Sequence, residues 1–407
     1  MALLKLAGRS LWARRSSALL TLLSIAISVT LLLGVEMLRV KTKENFASTI
    51  SGTDLIVGAR TGQAQLLLYS VFHIGNATAD ISWQAYQKVA SSRMVKWTIP
   101  IALGDSHRGY RVVGTNNDFF EHYRYGSKEL LAFAEGQRFG GTYDAVIGAE
   151  VARKLGYKIG QPIIVSHGLG QVSFNDHKEH PFRIAGILQP TGTPVDRSVL
   201  VGLDAIEAIH LPYKQNYSAE ELQPKSVTAF LVGMKSRLGV FGLQRAINTD
   251  TDEPLTAILP GVALAEMWGI VGMVENALLA VTACVVFTGF LSMLSSLLAG
   301  LKERRREMAI LRSVGARPRH IFTLMVFEAF LLSLLGAVVG VVLMYAGAFA
   351  LKPVLLNTMG FYLSLSVLTH VQWLMLAAVM GCGTLVGVVP AWQAYRYSLS
   401  DGMSIRI

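Results

Sequence analysis

"LKERRREMAILRSVGARPRHIF", from Leu301 to Phe322, is a short polar stretch between two long apolar ones. It contains seven basic side chains: Lys302, Arg304, Arg305, Arg306, Arg312, Arg317 and Arg319. Basic residues in a short loop beside apolar spans are typical of the cytoplasmic side of a membrane. The stretch therefore predicts a membrane protein with a cytoplasmic loop at these residues.

The composition of the 407-residue chain indicates a protein that is only partly embedded in a membrane. Hydrophobic residues make up 52% of it and charged residues 16%, whereas a soluble domain has about 25% charged residues. A helix needs about 20 apolar residues to cross the hydrocarbon core. We predict four such spans near Ser17–Leu38, Ala277–Leu301, Ile321–Leu351 and Val371–Tyr395.

The first apolar segment follows several basic residues, as the core of a signal peptide would: Lys5, Arg9, Arg14 and Arg15. It is longer than such a core, and no small-residue cleavage site follows it. We therefore interpret it as a retained membrane anchor.

The positions of the basic residues predict the orientation of the chain and argue against binding to nucleic acid. The net charge is +10, and a basic balance can indicate a nucleic-acid partner. Here the basic residues cluster at the N-terminus and in the 301–322 stretch, whereas the 352–370 loop has only Lys352. The positive-inside rule then places both termini and the arginine-rich loop in the cytoplasm.

These assignments divide the chain along its length. Residues 1–16 have the pattern of an interfacial amphipathic helix, and a simple topology signal is the alternative. The predicted parts are the cytoplasmic amphipathic helix 1–16, transmembrane segment 17–41, an extracytoplasmic domain 42–259, a stalk with the second transmembrane segment 260–301, a cytoplasmic loop 302–320, the third transmembrane segment 321–351, a short extracytoplasmic loop 352–370, the fourth transmembrane segment 371–395 and a cytoplasmic tail 396–407.

The extracytoplasmic segment is predicted to be an α+β domain. Short β-branched runs between turn residues predict strands in "TDLIVGA", "YRVVGT", "PIIVSH", "FRIAGIL", "SVLVGL" and "SVTAFLVG". Helical apolar spacing occurs in "WQAYQKVASS", "AEVARKLGYKIG" and "LDAIEAIH". Both cysteines, Cys284 and Cys382, fall in predicted spans. We therefore expect the domain to be held by a hydrophobic core and not by disulfides.

Two glycine spacings and one acidic residue stand out within the spans. Gly336 with Gly340, and Gly383 with Gly387, form Gly-x-x-x-Gly spacings, which allow helices to approach closely; a chance spacing is the alternative. Glu328 is the one ionisable residue deeper in a span. Such residues are usually functional, and a place at the membrane interface is the alternative.

The sequence has no P-loop, HExxH or GxSxG motif, so we expect no ATP site, bound cofactor or catalytic residue in this chain. The histidines outside the spans are potential zinc ligands. His177 and His180 lie in a small cluster with Asp176 and Glu179. Ordinary surface or core histidines are the alternative.

The arginine-rich stretch has a helical pattern on both sides of a turn. It predicts a continuation of the second span, a turn at Gly315-Ala316 and a short helix. An apolar edge at helical spacing precedes the turn: Met308, Leu311 and Val314. The charge suits anionic lipid, and the apolar Ile321 and Phe322 suit the groove of a partner protein.

At these residues the chain resembles the four-span permeases of the MacB, FtsX and LolC/LolE type, the type VII ABC transporter superfamily. The family signature is an Arg/Glu run followed by E-I-x-x-L-R-x-x-G-A, and Met308 here replaces its isoleucine. Near the C-terminus Pro390, Ala391 and Ala394 also match, although Ser398–Asp401 departs from the family pattern. The resemblance implies that the residues coupled to the ATPase are Glu307, Leu311, Arg312, Gly315, Ala316, Arg317, Pro318, Arg319, His320 and Ile321.

The resemblance further implies a non-catalytic permease subunit in a bacterial inner membrane. A cytoplasmic ATPase dimer would bind ATP and Mg²⁺, and a second permease copy or a paralogue would complete the complex. Mechanotransmission to the outer domain would then drive export or extraction of a lipoprotein, peptide or drug, in contact with membrane lipid and a periplasmic adaptor or lipoprotein. Two alternatives stay open: an FtsX-like regulator of a periplasmic hydrolase, and a permease for zinc-related transport that uses His177 and His180.

Overall fold

The structure, a computed structural model, describes residues 15–168, 179–212, 217–313, 315–359 and 366–396. Most of the predicted amphipathic helix 1–16 and most of the predicted cytoplasmic tail 396–407 lie outside these ranges. The helices are α1 Arg15–Ser48, α2 Gln63–Ser70, α3 Trp83–Ala90, α4 Asp118–His122, α5 Ala149–Leu155, α6 Leu203–Ile209, α7 Val240–Asn248, α8 Pro260–Ser313, α9 Pro318–Met359 and α10 His370–Arg396.

The strands lie between α1 and α8. They are β1 Leu55–Ala59, β2 Ile81–Ser82, β3 Val95–His107, β4 Tyr110–Thr115, β5 Arg124–Tyr125, β6 Glu129–Leu130, β7 Phe133–Gly136, β8 Asp144–Ile147, β9 Pro162–Ile163, β10 Ser166–His167, β11 Phe182–Leu188, β12 Ser198–Gly202, β13 Ser226–Val227, β14 Ala229–Met234 and β15 Leu255–Ile258.

Four described helices are long and apolar enough to cross a membrane, in α1, α8, α9 and α10. The strands and short helices form a mixed α+β unit between the first and the second of them. The predicted fold class is therefore confirmed. Two compact units result, an α+β unit that takes in Thr42–Val271 and a helical unit that takes in Gly272–Val354.

One mixed sheet organises the α+β unit. Its strand order is β15-β1-β14-β3-β4-β12-β8-β11-β7, and β10 and β9 pair with β3 and β11. Most neighbours are antiparallel, whereas β12 is parallel to β4 and β11 is parallel to β8. Because β1 pairs with β15 on one side and β14 on the other, the first strand of the unit is joined to its last two.

The sheet buries apolar side chains on both faces. On β14, Leu231 packs into one cluster with Ile56, while Phe230 and Val232 pack into another on the opposite face. Toward the other edge, Val199 of β12 belongs to a third cluster. This alternation follows from the period of two along a strand. The unit therefore has the ordinary hydrophobic core that the sequence predicted.

Two predicted strands are divided in the structure. The run "PIIVSH" forms β9 and β10, which pair with different strands, β11 and β3. The run "SVTAFLVG" forms β13 and β14, and Thr228 lies between them. The Thr228 hydroxyl donates to Asp80 at 3.0 Å and accepts from the Leu103 N–H at 3.0 Å. Each break lies where the chain changes from one partner strand to another. The residue composition of a run does not predict such a change.

Glycines mark the helix contacts of the helical unit. A Cβ at Gly336 would lie 2.6 Å from Ile25, and one at Gly340 would lie 2.7 Å from Val29, so α9 approaches α1 closely. On α10, a Cβ at Gly383 would collide with Ser333, and one at Gly387 with Ala329. Both Gly-x-x-x-Gly spacings thus lie at helix contacts.

Hydrogen bonds from α1 supplement this packing. The Ser28 hydroxyl donates to the Val285 carbonyl at 3.2 Å, and the Thr30 hydroxyl donates to the Gly340 carbonyl at 3.0 Å. Glu328 of α9 is also buried, with 4% of its surface exposed. It therefore lies inside the helical unit and not on its surface.

Candidate coupling site

The connection from α8 to α9 is the region that the resemblance assigned to ATPase coupling. α8 ends at Ser313 and α9 begins at Pro318, so the chain changes direction within a few residues. Gly315 has a φ of +100°, a conformation that glycine adopts without the steric cost of a Cβ. A Cβ at this position would meet no atom within 4 Å. Glycine is therefore required here by the backbone and not by packing.

The first turn of α9 is closed by His320. The Arg317 N–H donates to Nδ1 of His320 at 3.2 Å, and the His320 N–H donates to the Arg317 carbonyl at 2.8 Å. A side chain at the third helical position that accepts from the N-cap N–H has the geometry of half a capping box. Pro318 suits the first helical position, where no N–H is needed. These contacts define where α9 begins.

Ile321 anchors this turn inside the helical unit. It is 5% exposed and packs with Leu301 of α8, Met325 of α9, and Ala391 and Ala394 of α10. The sequence suggested that Ile321 enters a partner's groove. The structure instead buries it within its own chain, so its role is to hold the start of α9 in place.

The exposed surface of the connection is basic. Arg317, Arg319 and His320 are exposed, and Ala316 and Pro318 are partly exposed. The short helix expected after the turn is the beginning of α9, which continues without a break to Met359. A cationic, capped helix start that rests on a buried anchor can bind an acidic surface and transmit its movement to α9.

The last turns of α8 also belong to the candidate site, but only part of them is described. Glu307, Leu311 and Arg312 belong to α8, but their side chains lie outside the described ones, as do Met308 and all of Val314. Ile310, which the predicted apolar edge did not include, is 56% exposed. Ile310 falls on an unspecified position of the family signature, so neither the signature nor the helical spacing selected it.

Two protein-family models match this chain. Residues 18–237 match the model of the MacB-like periplasmic core domain. Residues 279–399 match that of the FtsX-like permease C-terminal domain. This chain belongs to the MacB/FtsX family of ABC transporter permeases. It is a multi-pass membrane protein of that family, and Gly315, Pro318 and Ile321 lie within the FtsX-like match.

Individual relatives cover the family domains to different extents. The macrolide export ATP-binding/permease protein MacB of Syntrophobacter fumaroxidans is 37% identical over 30% of this chain and 16% of its own length. The pyoverdine export ATP-binding/permease protein PvdT of Pseudomonas syringae pv. tomato is 24% identical over 96% of this chain. The chain spans 57% of that relative.

Among solved structures, the periplasmic region of MacB from Actinobacillus actinomycetemcomitans matches 54% of this chain and 94% of its own. Its sequence is 9% identical and the TM-score is 0.35.

Only one histidine of the predicted pair lies in the described part of the chain. His177 lies outside it. Nδ1 of the buried His180 lies 2.8 Å from the Tyr143 hydroxyl, and the two rings stack. His180 is therefore placed beside an aromatic hydroxyl, and the structure offers no geometry for a joint site with His177.

A cavity of about 400 Å³ lies in the α+β unit. Aromatic and cationic side chains line it, among them Phe46, His73, Arg111 and Arg197. Nδ1 of His73 lies 3.0 Å from the Ser198 hydroxyl. Burial, and then the positive charge of Arg111, lower the pKa of His73 to about 4. The cavity therefore combines a neutral imidazole with guanidinium groups at neutral pH.

Proposed function

We propose that this chain is the non-catalytic permease subunit of an ABC transporter in a bacterial inner membrane, with both termini in the cytoplasm. A separate ATPase dimer would bind ATP and Mg²⁺ and dock on the connection between α8 and α9. The observation that supports this most directly is the exposed pair Arg317 and Arg319 next to the buried Ile321. Family membership and the two ATP-binding/permease relatives give independent support.

The proposed mechanism is mechanotransmission. Closure of the ATPase would displace the start of α9, where Ile321 packs against Leu301 of α8. α8 is a single helix of 54 residues, about 80 Å long at 1.5 Å per residue. A helix of this length reaches beyond a ~30 Å hydrocarbon core. It is therefore suited to bring a movement from the cytoplasm to the α+β unit.

The relatives' names also bear on the cargo. One is named for macrolide export and the other for pyoverdine export. We therefore propose export or extraction of a lipoprotein, peptide or drug-like molecule, by a complex with a second permease copy or a paralogue. A periplasmic adaptor would extend the complex outward, and an FtsX-like role with a periplasmic hydrolase is the competing assignment.

The test is purification of the tagged permease from its native membranes in a mild detergent, with identification of bound proteins by mass spectrometry. We expect a P-loop ATPase with the unaltered chain. The double variant Arg317→Glu/Arg319→Glu should retain about tenfold less ATPase, which corresponds to about 1.4 kcal/mol of binding free energy. Lys352→Glu, a charge reversal outside the connection, is the matched control.

Two results would contradict the assignment. One is a folded permease that retains no ATPase, and the other is equal ATPase retention by the double variant and the control. A periplasmic hydrolase bound in place of an export partner would support the regulator instead.

A further inference from the structure

Three side chains of the kinds that bind metal ions meet in the α+β unit, away from the coupling site. Asp105 lies on β3, His167 lies on β10 and His210 follows α6. One ligand atom from each lies within 4.8 Å of the others. The sequence separations are large, so this arrangement is a product of the fold.

The sheet brings the first two residues together. β10 contains only Ser166 and His167, and His167 pairs directly with Asp105 on β3. The register of β3 against β4 shifts between Leu103 and Ser106, which is the signature of a β-bulge. Bulges redirect side chains and are frequent next to functional sites. Here the irregularity covers Gly104 and Asp105.

Hydrogen bonds orient both imidazole rings. Nδ1 of His167 lies 2.7 Å from Oδ1 of Asp105, and Nδ1 of His210 lies 2.6 Å from the Ile206 carbonyl. A carbonyl oxygen only accepts, so Nδ1 of His210 carries a proton, and Nε2 is the ring nitrogen that can bind a metal ion. Histidine ligands of metals commonly donate their other N–H to a carbonyl oxygen, as His210 does here.

The carboxylate of this group is buried, whereas both histidines are exposed. Asp105 is 4% exposed, so its charge lies in a poorly solvated place where a cation would be stabilising. His167 and His210 are exposed, and their ring centroids are 4.8 Å apart. An ion can therefore reach the histidines from solvent while the carboxylate stays buried.

We propose that Asp105, His167 and His210 form a zinc site. Two imidazoles and one carboxylate are a recognised set for Zn²⁺, with the fourth position open to water or to another ligand. Ca²⁺ and Mg²⁺ prefer sites made of oxygen atoms. This site differs from the pair His177 and His180 that the sequence suggested, and it does not rest on the coupling proposal.

A second group with metal-binding side chains, Asp118, Glu121 and His122, has competing contacts. Glu121 forms an ion pair with Arg138, and the His122 ring stacks on Trp97 with centroids 5.3 Å apart. Asp118 accepts from the Asn116 amide at 2.8 Å. Because both of its acidic side chains are bound by donors from outside the group, this second group supplies the control.

The experiment measures Zn²⁺ binding to the full-length chain in detergent, with a tag free of histidine and a chelator of known zinc affinity as competitor. We expect one Zn²⁺ per chain at this site. His167→Gln and His210→Gln should each weaken its affinity about 100-fold or more, and Asp105→Asn about 10- to 100-fold. His122→Asn should leave it unchanged.

Thermal melting of each variant checks folding, and His210→Gln is the decisive variant because the side chain is exposed at the end of a helix. Co²⁺ provides a second readout, because its visible absorption reports nitrogen and oxygen coordination. Absence of bound Zn²⁺ in the unaltered chain would overturn the proposal. So would zinc affinity and Co²⁺ spectra that are the same in His167→Gln, His210→Gln and the unaltered protein.

Discussion

On β1 and β14 of the α+β unit, Val57 lies opposite Phe230 and Ile56 opposite Leu231, and these pairs fill the two faces of the sheet. In the helical unit, the contact between α9 and α1 is made by Gly340 against Val29. Water drives large apolar side chains together in the first case. In lipid that drive is absent, and close approach of small residues replaces it. Both units are rich in apolar residues, but large side chains stabilise contacts in the sheet, whereas small residues allow contacts between the membrane helices.

The largest effect that tests this contrast is expected from Gly340→Leu. A Cβ there would already lie 2.7 Å from Val29 and 2.8 Å from the Ala26 carbonyl, and a backbone atom cannot move aside cheaply. We expect loss of most folded protein from the membrane, measured by size-exclusion chromatography in detergent.

Gly347→Leu is the matched control on the same helix, because nothing lies within 4 Å of a Cβ at Gly347. Equal losses for the two variants would show that leucine harms α9 irrespective of the α1 contact.

The next largest effect concerns the sheet. Leu200 of β12 is fully buried, so Leu200→Ala should remove apolar contacts and leave a cavity. We expect a loss of about 2–5 kcal/mol in the free energy of unfolding of the α+β unit. Hydrogen exchange of the strands that flank β12, within the full-length chain, measures it. Leu238→Ala, at a side chain that is 95% exposed, should change exchange little, and a similar change in both would refute the core assignment.

A smaller effect is expected from His73, whose pKa is lowered to about 4 by burial and by Arg111. In the unfolded chain the pKa is near 6.5. As pH falls from about 6.5 to about 4, the unfolded state binds a proton that the folded state does not, so stability decreases. Because the ring is partly exposed, we expect about 1–2 kcal/mol in total.

His73→Asn removes the titrating group. The substitution should not strain the backbone, because His73 has a φ of 55° and asparagine tolerates that conformation. Thermal melts of both proteins between pH 7 and pH 4 test the prediction. Parallel pH profiles would contradict it.

Much of the architecture could be predicted because long apolar runs and short β-branched runs are local signals. Seven of the described strands were not predicted, namely β2, β3, β5, β6, β7, β8 and β15. β3 contains Pro100 and Gly104, residues that argue against an interior strand. It nevertheless pairs with both β14 and β4. Pairing with strands distant in the sequence outweighs the local cost of these residues, and one sequence does not reveal that pairing.

The coupling site and the histidine cluster also differ in how far each could be predicted from local sequence. The turn at Gly315 was recognised because turn chemistry depends on neighbouring residues, whereas Pro318 was named only through the family resemblance. The burial of Ile321 depends on Ala391 and Ala394 of α10, which match the family's closing pattern without revealing their contact. The meeting of Asp105 with His167 and His210 depends on strand register, so histidine spacing along the chain pointed to a different pair.

The pairing of β1 with β15 also bears on how such a chain can change over evolution. Ile56 lies opposite Ile258, so the α+β unit begins and ends on adjacent strands, about 4.8 Å apart. A module whose two ends meet can be lengthened, shortened or exchanged through its interior without altering the junctions at either end. The same set of membrane helices can therefore acquire a new binding specificity when the interior of the α+β unit is replaced.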